Sequence, residues 1–148
     1  MADGPILALE AFLPYRLNRL ADAVSRAFAV GYRARYGLTR PEWRTLATLG
    51  QYGTMTATEI GAHSSMHKTK VSRAVAALEE RRWLVRMTDS ADRRIERLSL
   101  TKAGQEAYAK LVPAAKAFEA ELLEQLEPPE REALLAGITA LERAVLKR

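Results

Sequence analysis

The stretch MTDSADRRIERLSLT, residues 87–101, places two adjacent arginines at what reads as the tip of a turn. Arg93 and Arg94 follow the acids Asp89 and Asp92, and apolar residues alternate beyond them. Side chains at such a tip bury nothing, so paired arginines there favour contact with a polyanion, whose phosphates accept hydrogen bonds from guanidinium groups. Because an acid is out of place on that surface, we expect Asp92 to pair with a neighbouring arginine and fix the turn. The alternative is an ordinary charged turn.

A second group of polar residues lies just before this turn, in SSMHKTKVSRAVAALEERRW. Its apolar residues recur at helical spacing and must face a core; they are Val71, Ala74, Val75 and Leu78. The side chains that this stripe turns outward are His67, Lys68, Thr69, Lys70, Ser72 and Arg73. Ser64 and Ser65 precede them, near the expected N-terminus of the helix, where hydroxyls can cap and donate to phosphate. This set suits phosphates and base edges, although a solvated helix face is the plain alternative.

Composition supports a polyanion as partner. The chain of 148 residues carries a net charge of +5, and residues 63–100 hold nine Lys and Arg against five Asp and Glu. The absence of cysteine excludes a disulfide framework, thiolate redox chemistry and cysteine-based zinc sites. No apolar run is long enough for a bilayer and no leader pattern opens the chain, so we expect a complete cytoplasmic protein without membrane contact.

The elements that must position these groups are mostly helices. A first helix is predicted over 6–36, where Pro14 indicates a kink or a late start. Two capping boxes, Thr39 with Glu42 and Thr56 with Glu59, predict helix starts. The helices that follow are expected to end near residues 51 and 63, and another is expected over about 66–82. WLVRMTD and IERLSL predict two strands, after which Thr101 caps a helix to about residue 126 and a last helix reaches the C-terminus.

Three short helices followed by a hairpin are typical of a winged helix-turn-helix, in which the third helix reads DNA and the hairpin is the wing. The run from Leu38 to Gly104 resembles the MarR family of bacterial transcriptional regulators. The most specific part of the resemblance is a motif in two pieces. The pieces are Asp89–x–x–Asp92–Arg93–Arg94 and Leu98–x–Leu100–Thr101–x–x–Gly104. The fold class that follows is mainly α with a small β-wing.

The resemblance implies a homodimer whose N- and C-terminal helices intertwine, and each subunit offers one winged helix to half of a near-palindromic operator. Residues 1–36 and 105–148 would then be dimerisation helices, and residues 37–104 the DNA-binding lobe. Arg73 matches the recognition-helix arginine, Arg94 the arginine that enters the minor groove, and Asp92 the acid that braces the wing. His67 departs from the pattern, since similar members commonly carry aspartate there.

The resemblance also implies a small effector that releases a repressor from its operator. LTRPEWRTLATL and the residues before it look like a subgroup linked to aromatic-compound catabolism, some of whose members bind aromatic acids or their coenzyme A thioesters. The candidate ligand residues, which would supply aromatic walls and a cationic partner, are Tyr15, Arg16, Tyr32, Tyr36, Trp43 and Arg44. The alternative is that the aromatic residues are core or dimer contacts.

Two other function classes compete with a DNA-binding regulator. His63 and His67 have the spacing of two metal ligands on one helix face, as in a metal-dependent enzyme, but no glutamate follows His63 and the pair is expected to straddle a helix boundary. A winged helix used only for protein contact is expected to lack the outward basic set. We therefore expect no enzyme, no metal and no cofactor, with double-stranded DNA, a second copy and a small effector as partners.

Overall fold

The computed structural model describes residues 4–146 and confirms a mainly helical fold with one small β-hairpin. A short 3-10 turn, Leu9–Ala11, precedes the first helix. The helices are α1 Leu13–Tyr36, α2 Arg40–Tyr52, α3 Ala57–Ser64, α4 Lys68–Glu80, α5 Lys102–Glu124 and α6 Pro128–Val145. The strands are β1 Leu84–Thr88 and β2 Glu96–Leu100. This order is that of the predicted winged helix-turn-helix.

The helix starts follow the capping residues. Both predicted capping boxes are present: the Thr39 and Thr56 hydroxyls accept backbone N–H bonds from Glu42 and Glu59, whose carboxylates accept the cap N–H in return. Pro14 lies in the first turn of α1, where a missing N–H costs nothing, so the late start is the correct alternative and the kink is not.

The core of the lobe forms where α2, α3, α4 and the hairpin meet. All four residues of the predicted stripe on α4 are at most 2% exposed. Leu46 and Leu49 of α2 and Ile60 of α3 are equally buried and belong to the same cluster. Burial of this apolar stripe fixes the rotation of α4 about its axis. The same spacing of apolar residues therefore determines which α4 side chains face solvent.

The hairpin is antiparallel, and its two strands pair Leu84 with Leu100 and Thr88 with Glu96. It is anchored at its base, where Leu84 and Leu98 are each 1% exposed. Met55, between α2 and α3, also forms a single β-bridge with Leu98, with backbone bonds of 3.0 and 2.8 Å. The bridge gives this two-stranded sheet, which would be marginal alone, a third backbone partner.

The chain divides into two compact units, Met1–Leu111 and Val112–Arg148. Among residues 4–146, the buried apolar residues of the core, from Ala29 to Leu111, all belong to the first unit. In the second unit, α6 has no buried residue among those described, and Leu134, Leu135 and Ile138 are exposed. The predicted functional division at residues 36 and 104 remains a prediction.

Candidate nucleic-acid interface

The outward face of α4 is a row of basic and hydroxyl side chains. Lys68, Thr69, Lys70, Ser72 and Arg73 are all exposed. Within residues 4–146, no hydrogen bond or ion pair holds the side chains of Lys68, Lys70, Ser72 or Arg73. The helix satisfies its own backbone and packs through its other face, so these groups are available to a ligand.

The start of α4 differs from the expectation for Ser64 and Ser65. Ser64 is the last residue of α3 and 5% exposed, and its hydroxyl lies 3.1 Å from the Thr48 hydroxyl. Ser65 ends α3 in the left-handed conformation, with φ 53°. The prediction that these serines cap α4 is therefore wrong, and a buried Ser64 hydroxyl is not placed to donate to a phosphate. Ser65 is exposed and remains a candidate.

His67 is the residue that caps α4. Its Nδ1 atom accepts the backbone N–H of Thr69 at 3.2 Å. A carboxylate at this position would accept the same bond, so the histidine performs locally the task of the aspartate that the resemblance led us to expect. Its ring is exposed beside Lys68 and Lys70, and it stays in the candidate set for DNA contact.

The wing tip is organised by two acids. Asp89 accepts the backbone N–H groups of Ala91 and Asp92 through Oδ2, and the Arg97 Nε–H through Oδ1 at 2.9 Å. Asp92 accepts three bonds of 3.0 Å from Arg94: from its backbone N–H, from Nε and from Nη2. Arg94 is thus held in a fork by Asp92, although 90% of its side chain is exposed.

These contacts shift the ionisation of the wing. The Arg94 side chain, and then the Arg94 backbone N–H, lower the pKa of the Asp92 carboxyl. In turn, the hydrogen bond to the Asp92 side chain raises the pKa of the Arg94 guanidinium. The Asp92 N–H, followed by Arg97, lowers the pKa of Asp89. Both acids are therefore ionised at neutral pH, and Arg93 is the wing-tip arginine for which the described residues offer no partner.

Two further features join the wing to its neighbours. Arg86 of β1 donates to Glu79 of α4 and to Glu96 of β2, both at 3.1 Å, so one guanidinium links the recognition helix with both strands. At the other end, the Thr101 hydroxyl donates to the Arg82 carbonyl and accepts the Gly104 N–H. A Cβ atom on Gly104 would collide with the Trp83 backbone, so this position requires glycine.

The candidate ligand residues do not form one site. Tyr32, Trp43 and Arg44 line a small pocket between α1 and α2. Tyr15 and Arg16 line a separate, shallow hollow along α1. Tyr36 packs edge-on against Trp83, with ring centroids 5.3 Å apart. The structure therefore brings together three of the six residues.

The two histidines lie on different elements, as expected. His63 belongs to α3, and its Nε2 atom lies 3.0 Å from the Tyr52 hydroxyl, whereas His67 caps α4. Nowhere in residues 4–146 do three His, Asp or Glu side chains converge in a way that could hold a metal ion. No described helix combines the length and the apolar character needed to cross a membrane.

Sequence reasoning missed Arg86, Arg40 and the neighbours of Ser64. Arg86 alternates with apolar residues on a strand, and nothing in the sequence shows that Glu79 lies beside it. Arg40 follows a capping threonine and looks like an ordinary first-turn residue, although it lines the pocket that contains Tyr32. The contact of Arg44 with Ser64 spans 20 residues of sequence, so no local spacing indicates it.

A helix-turn-helix core, a recognition helix with an unpaired basic face and an arginine-tipped hairpin define a winged helix-turn-helix DNA-binding protein. The chain matches the model of the MarR family over residues 36–95. An uncharacterized HTH-type transcriptional regulator of Bacillus subtilis (strain 168), YwoH, is 31% identical over 98 residues, which are 66% of this chain and 71% of that protein. The chain belongs to the MarR family of transcriptional regulators, a family of regulators and not of enzymes.

Solved structures have the same fold. A MarR family transcriptional regulator from Silicibacter pomeroyi DSS-3 is 29% identical with a TM-score of 0.79, over 96% of this chain and all of that one. A MarR/EmrR family regulator from Acinetobacter sp. ADP1 is 27% identical with a TM-score of 0.80, over 94% and 98%. BpsR of Bordetella bronchiseptica, whose DNA binding is regulated by 6-hydroxynicotinic acid, is 22% identical with a TM-score of 0.78, over 94% and 98%, and supports the fold alone.

Proposed function

We propose that this chain is a homodimeric repressor that binds a near-palindromic operator and is released by a small aromatic ligand. The observation that carries the proposal is the outward face of α4, whose cations have no protein partner among residues 4–146, beside a wing whose tip carries two arginines. α4 would lie in the major groove, with Ser65, His67, Lys68, Thr69, Lys70, Ser72 and Arg73 toward phosphates and base edges. Arg93 and Arg94 would follow the adjacent minor groove.

Exposed apolar side chains support the homodimer. Along α1, Leu13, Leu17 and Leu20 are at least 40% exposed, and on α6 Leu135 and Ile138 are at least 46% exposed. Water-exposed leucine at this density favours burial against a second copy. Isologous pairing would present two recognition helices about 34 Å apart, one turn of DNA. Sedimentation at micromolar concentration should give a dimer, and a monodisperse monomer would contradict this part of the proposal.

The experiment for the whole proposal is selection of bound DNA from a random pool, followed by binding at two salt concentrations. A repressor of this type should select a near-palindromic site, and its affinity should fall steeply with salt as counterions are released. Recovery of no preferred sequence, or binding that does not change with salt, would contradict it. Position of the selected site over a promoter in the source genome would distinguish repression from activation.

The ligand part of the proposal rests on the pocket between α1 and α2. The rings of Tyr32 and Trp43 stack on each other at its wall, with centroids 5.7 Å apart and an angle of 17° between the ring planes. Such walls suit a planar ring, and a nearby arginine suits a carboxylate. The 6-hydroxynicotinic acid that regulates BpsR has this chemistry, which makes it and benzoate reasonable first probes. If neither changes the melting temperature or the operator affinity, the ligand class is wrong while the DNA-binding role stands.

A further inference from the structure

A basic hollow lies beside the start of α4, between that helix and α2. Its volume is about 490 Å³, and four of the side chains that line it are basic, namely Arg40, Arg44, His67 and Lys70. Within residues 4–146, no Asp or Glu lines it. The hollow shares Arg40 and Arg44 with the aromatic pocket, but its remaining walls include the α3–α4 turn and the first turn of α4. A concave surface with this charge suits an anion.

The two arginines carry positive charge that the described residues neutralise only in part. The Arg40 guanidinium lies 3.6 Å from an oxygen of Asp22, but Arg26 contacts the same carboxylate at 2.9 Å. A long, exposed ion pair of this kind contributes little. Arg44 donates to the backbone carbonyl of Ser64 and has no carboxylate partner among the described residues. Burial, and then the Arg40 charge, lower the pKa of the Arg44 guanidinium, so the two cations are close enough to repel, and an anion between them would relieve this repulsion.

Two of the basic groups are held in place before any ligand binds. The bond to the Ser64 carbonyl fixes the Arg44 guanidinium at the end of α3. His67 caps α4 through Nδ1, which accepts the Thr69 backbone N–H at 3.2 Å. A neutral imidazole that accepts through Nδ1 carries its proton on Nε2, so Nε2 can donate to an anion. Groups that are already ordered lose little conformational freedom when they bind.

The position of the basic hollow on α4 favours a phosphate over a base edge. The buried stripe of α4 is centred near Val71. At about 100° per residue, Thr69 and Arg73 lie opposite this stripe, and Lys70 lies on the flank between the two. A helix with its side chains is about 10–12 Å across and the major groove is about 12 Å wide, so the flanks of a helix in this groove approach the DNA backbones. The hollow on the Lys70 flank would therefore face phosphates.

We propose that the basic hollow holds one phosphate group of the operator backbone, contacted by Arg40 together with His67 and Lys70. Arg40 is the first residue of α2, so this contact lies outside the recognition helix and the wing. A guanidinium can donate two hydrogen bonds to one phosphate, which adds a fixed geometry to the attraction of charge. The contact sets the register of α4 in the groove and carries no base preference of its own. This inference rests on the proposed function.

The experiment compares the wild-type protein with Arg40→Gln, with Arg40→Lys, which keeps the charge, and with the matched control Arg26→Gln. Arg26 lies on α1 with 80% of its side chain exposed and contacts the same Asp22, so its variant loses one charge and one acid contact outside the hollow. Fluorescence anisotropy measures affinity for the selected operator from about 50 to 200 mM salt. A second series of operators carries a neutral methylphosphonate in place of one phosphate at a time. Arg40→Ala replaces Arg40→Gln if that variant does not fold.

In a plot of log affinity against log salt, Arg40→Gln should reduce the steepness of the slope by about 0.9 per half-site, or about 1.8 for a dimer on two half-sites, because one phosphate contact per half-site is lost. The disadvantage of this variant should therefore shrink about tenfold between about 50 and 200 mM salt. Arg26→Gln and Arg40→Lys should keep the wild-type slope. One methylphosphonate position in each half-site should weaken binding by the wild-type protein and by Arg26→Gln, but should not weaken Arg40→Gln any further.

An unchanged slope in folded Arg40→Gln would overturn the phosphate contact, and so would an equal reduction in Arg26→Gln, which would indicate net charge alone. Methylphosphonate effects that are the same in Arg40→Gln and in the wild type would overturn the assignment to Arg40. Calorimetry with millimolar adenosine diphosphate should give no binding heat. Heat that disappears in Arg40→Gln, with an unchanged operator slope, would assign the hollow to a free phosphate ester instead. Failure of the wild-type protein to bind any operator is seen before the variants are compared and would count against the proposed function.

Discussion

The recognition helix and the wing use the same residue types in opposite ways. On α4, the cations Lys68, Lys70 and Arg73 have no protein partner among the described residues. In the hairpin, Arg86, Arg94 and Arg97 are all engaged by carboxylates at 2.9–3.1 Å. The cations of α4 are therefore available to a ligand, whereas most of the hairpin arginines are engaged in ion pairs within the protein.

The difference follows from how each element holds its shape. A helix of 13 residues satisfies its backbone internally and is fixed here by a buried apolar stripe. Each strand of the hairpin has five residues, and most of them are exposed. Such a hairpin gains little from burial, so ion pairs and Asx-type bonds shape its tip. On the wing, charge is structural first and available for contact second.

The largest effect should come from the base of the wing. Leu98→Ala removes a side chain that is 1% exposed and lies beside the Met55 bridge, so it should lower the free energy of unfolding by about 2–5 kcal/mol. Val85→Ala, in the paired strand but 43% exposed, should cost less than about 1 kcal/mol. Urea denaturation measures both. Equal losses would mean that the wing is not anchored through Leu98.

The next effect should separate the two elements by sequence preference. Arg94→Ala should weaken operator binding by about 1–3 kcal/mol, most strongly with A·T-rich flanks, whose narrow minor groove attracts arginine. Arg73→Ala should weaken binding by a similar amount, but its effect should follow the bases of the half-site or a fixed phosphate. Titration of operators with altered flanks and altered half-sites tests this. If both variants respond to the same positions, the two elements do not read different grooves.

Much of this arrangement could be predicted from local sequence, because the signals are short-range. The capping boxes at Thr39 and Thr56 and the stripe from Val71 to Leu78 each lie within a few residues, and all are confirmed. α4 begins at Lys68, two residues after the predicted start, because HSSMHK offers several possible caps. A helix end in the left-handed conformation is usually recognised by a glycine, but the left-handed residue that ends α3 is Ser65.

What could not be predicted depends on residues that are distant in sequence. The Met55 bridge is one residue long and has no periodicity, and the Arg44 bond reaches a carbonyl, which any residue could provide. The six candidate ligand residues share only their aromatic or cationic type, and type alone does not show that Tyr36 packs against Trp83. Composition indicates which groups are available, and only the fold decides which of them meet.

The pocket extends the contrast between paired and unpaired groups to a neutral side chain. Tyr32→Phe removes a buried hydroxyl for which the described part of the chain provides no hydrogen-bond partner. It should leave the stability of the ligand-free protein unchanged or raise it by up to about 1 kcal/mol, whereas loss of a bonded hydroxyl usually destabilises. Benzoate affinity should fall in the same variant. A clear loss of thermal stability in the ligand-free protein would mean that the hydroxyl is paired in solution.

The smallest effect concerns pH. The pKa of Asp92 is lowered mainly by the Arg94 side chain, and that of Asp89 mainly by the Asp92 backbone N–H. A carboxyl with a lowered pKa stabilises the folded wing fully at pH values above the ordinary aspartate pKa. This stabilisation should be lost as the pH falls through the lowered pKa values. Carboxyl carbon NMR should show both titrations below the ordinary aspartate range. In Arg94→Ala, only the Asp92 titration should return toward it; two ordinary titrations in the wild type would contradict the bracing.

The most direct test of the contrast is a double-mutant cycle on Asp92 and Arg94, measured as operator affinity at one salt concentration. Loss of an acid from a basic surface should tighten binding through charge alone. If Asp92 holds Arg94 in a productive geometry, Asp92→Ala should instead weaken binding in the wild-type background and should be neutral or tighten it in Arg94→Ala. Equal tightening by Asp92→Ala in both backgrounds would contradict the bracing role and would leave the wing tip as an ordinary charged turn.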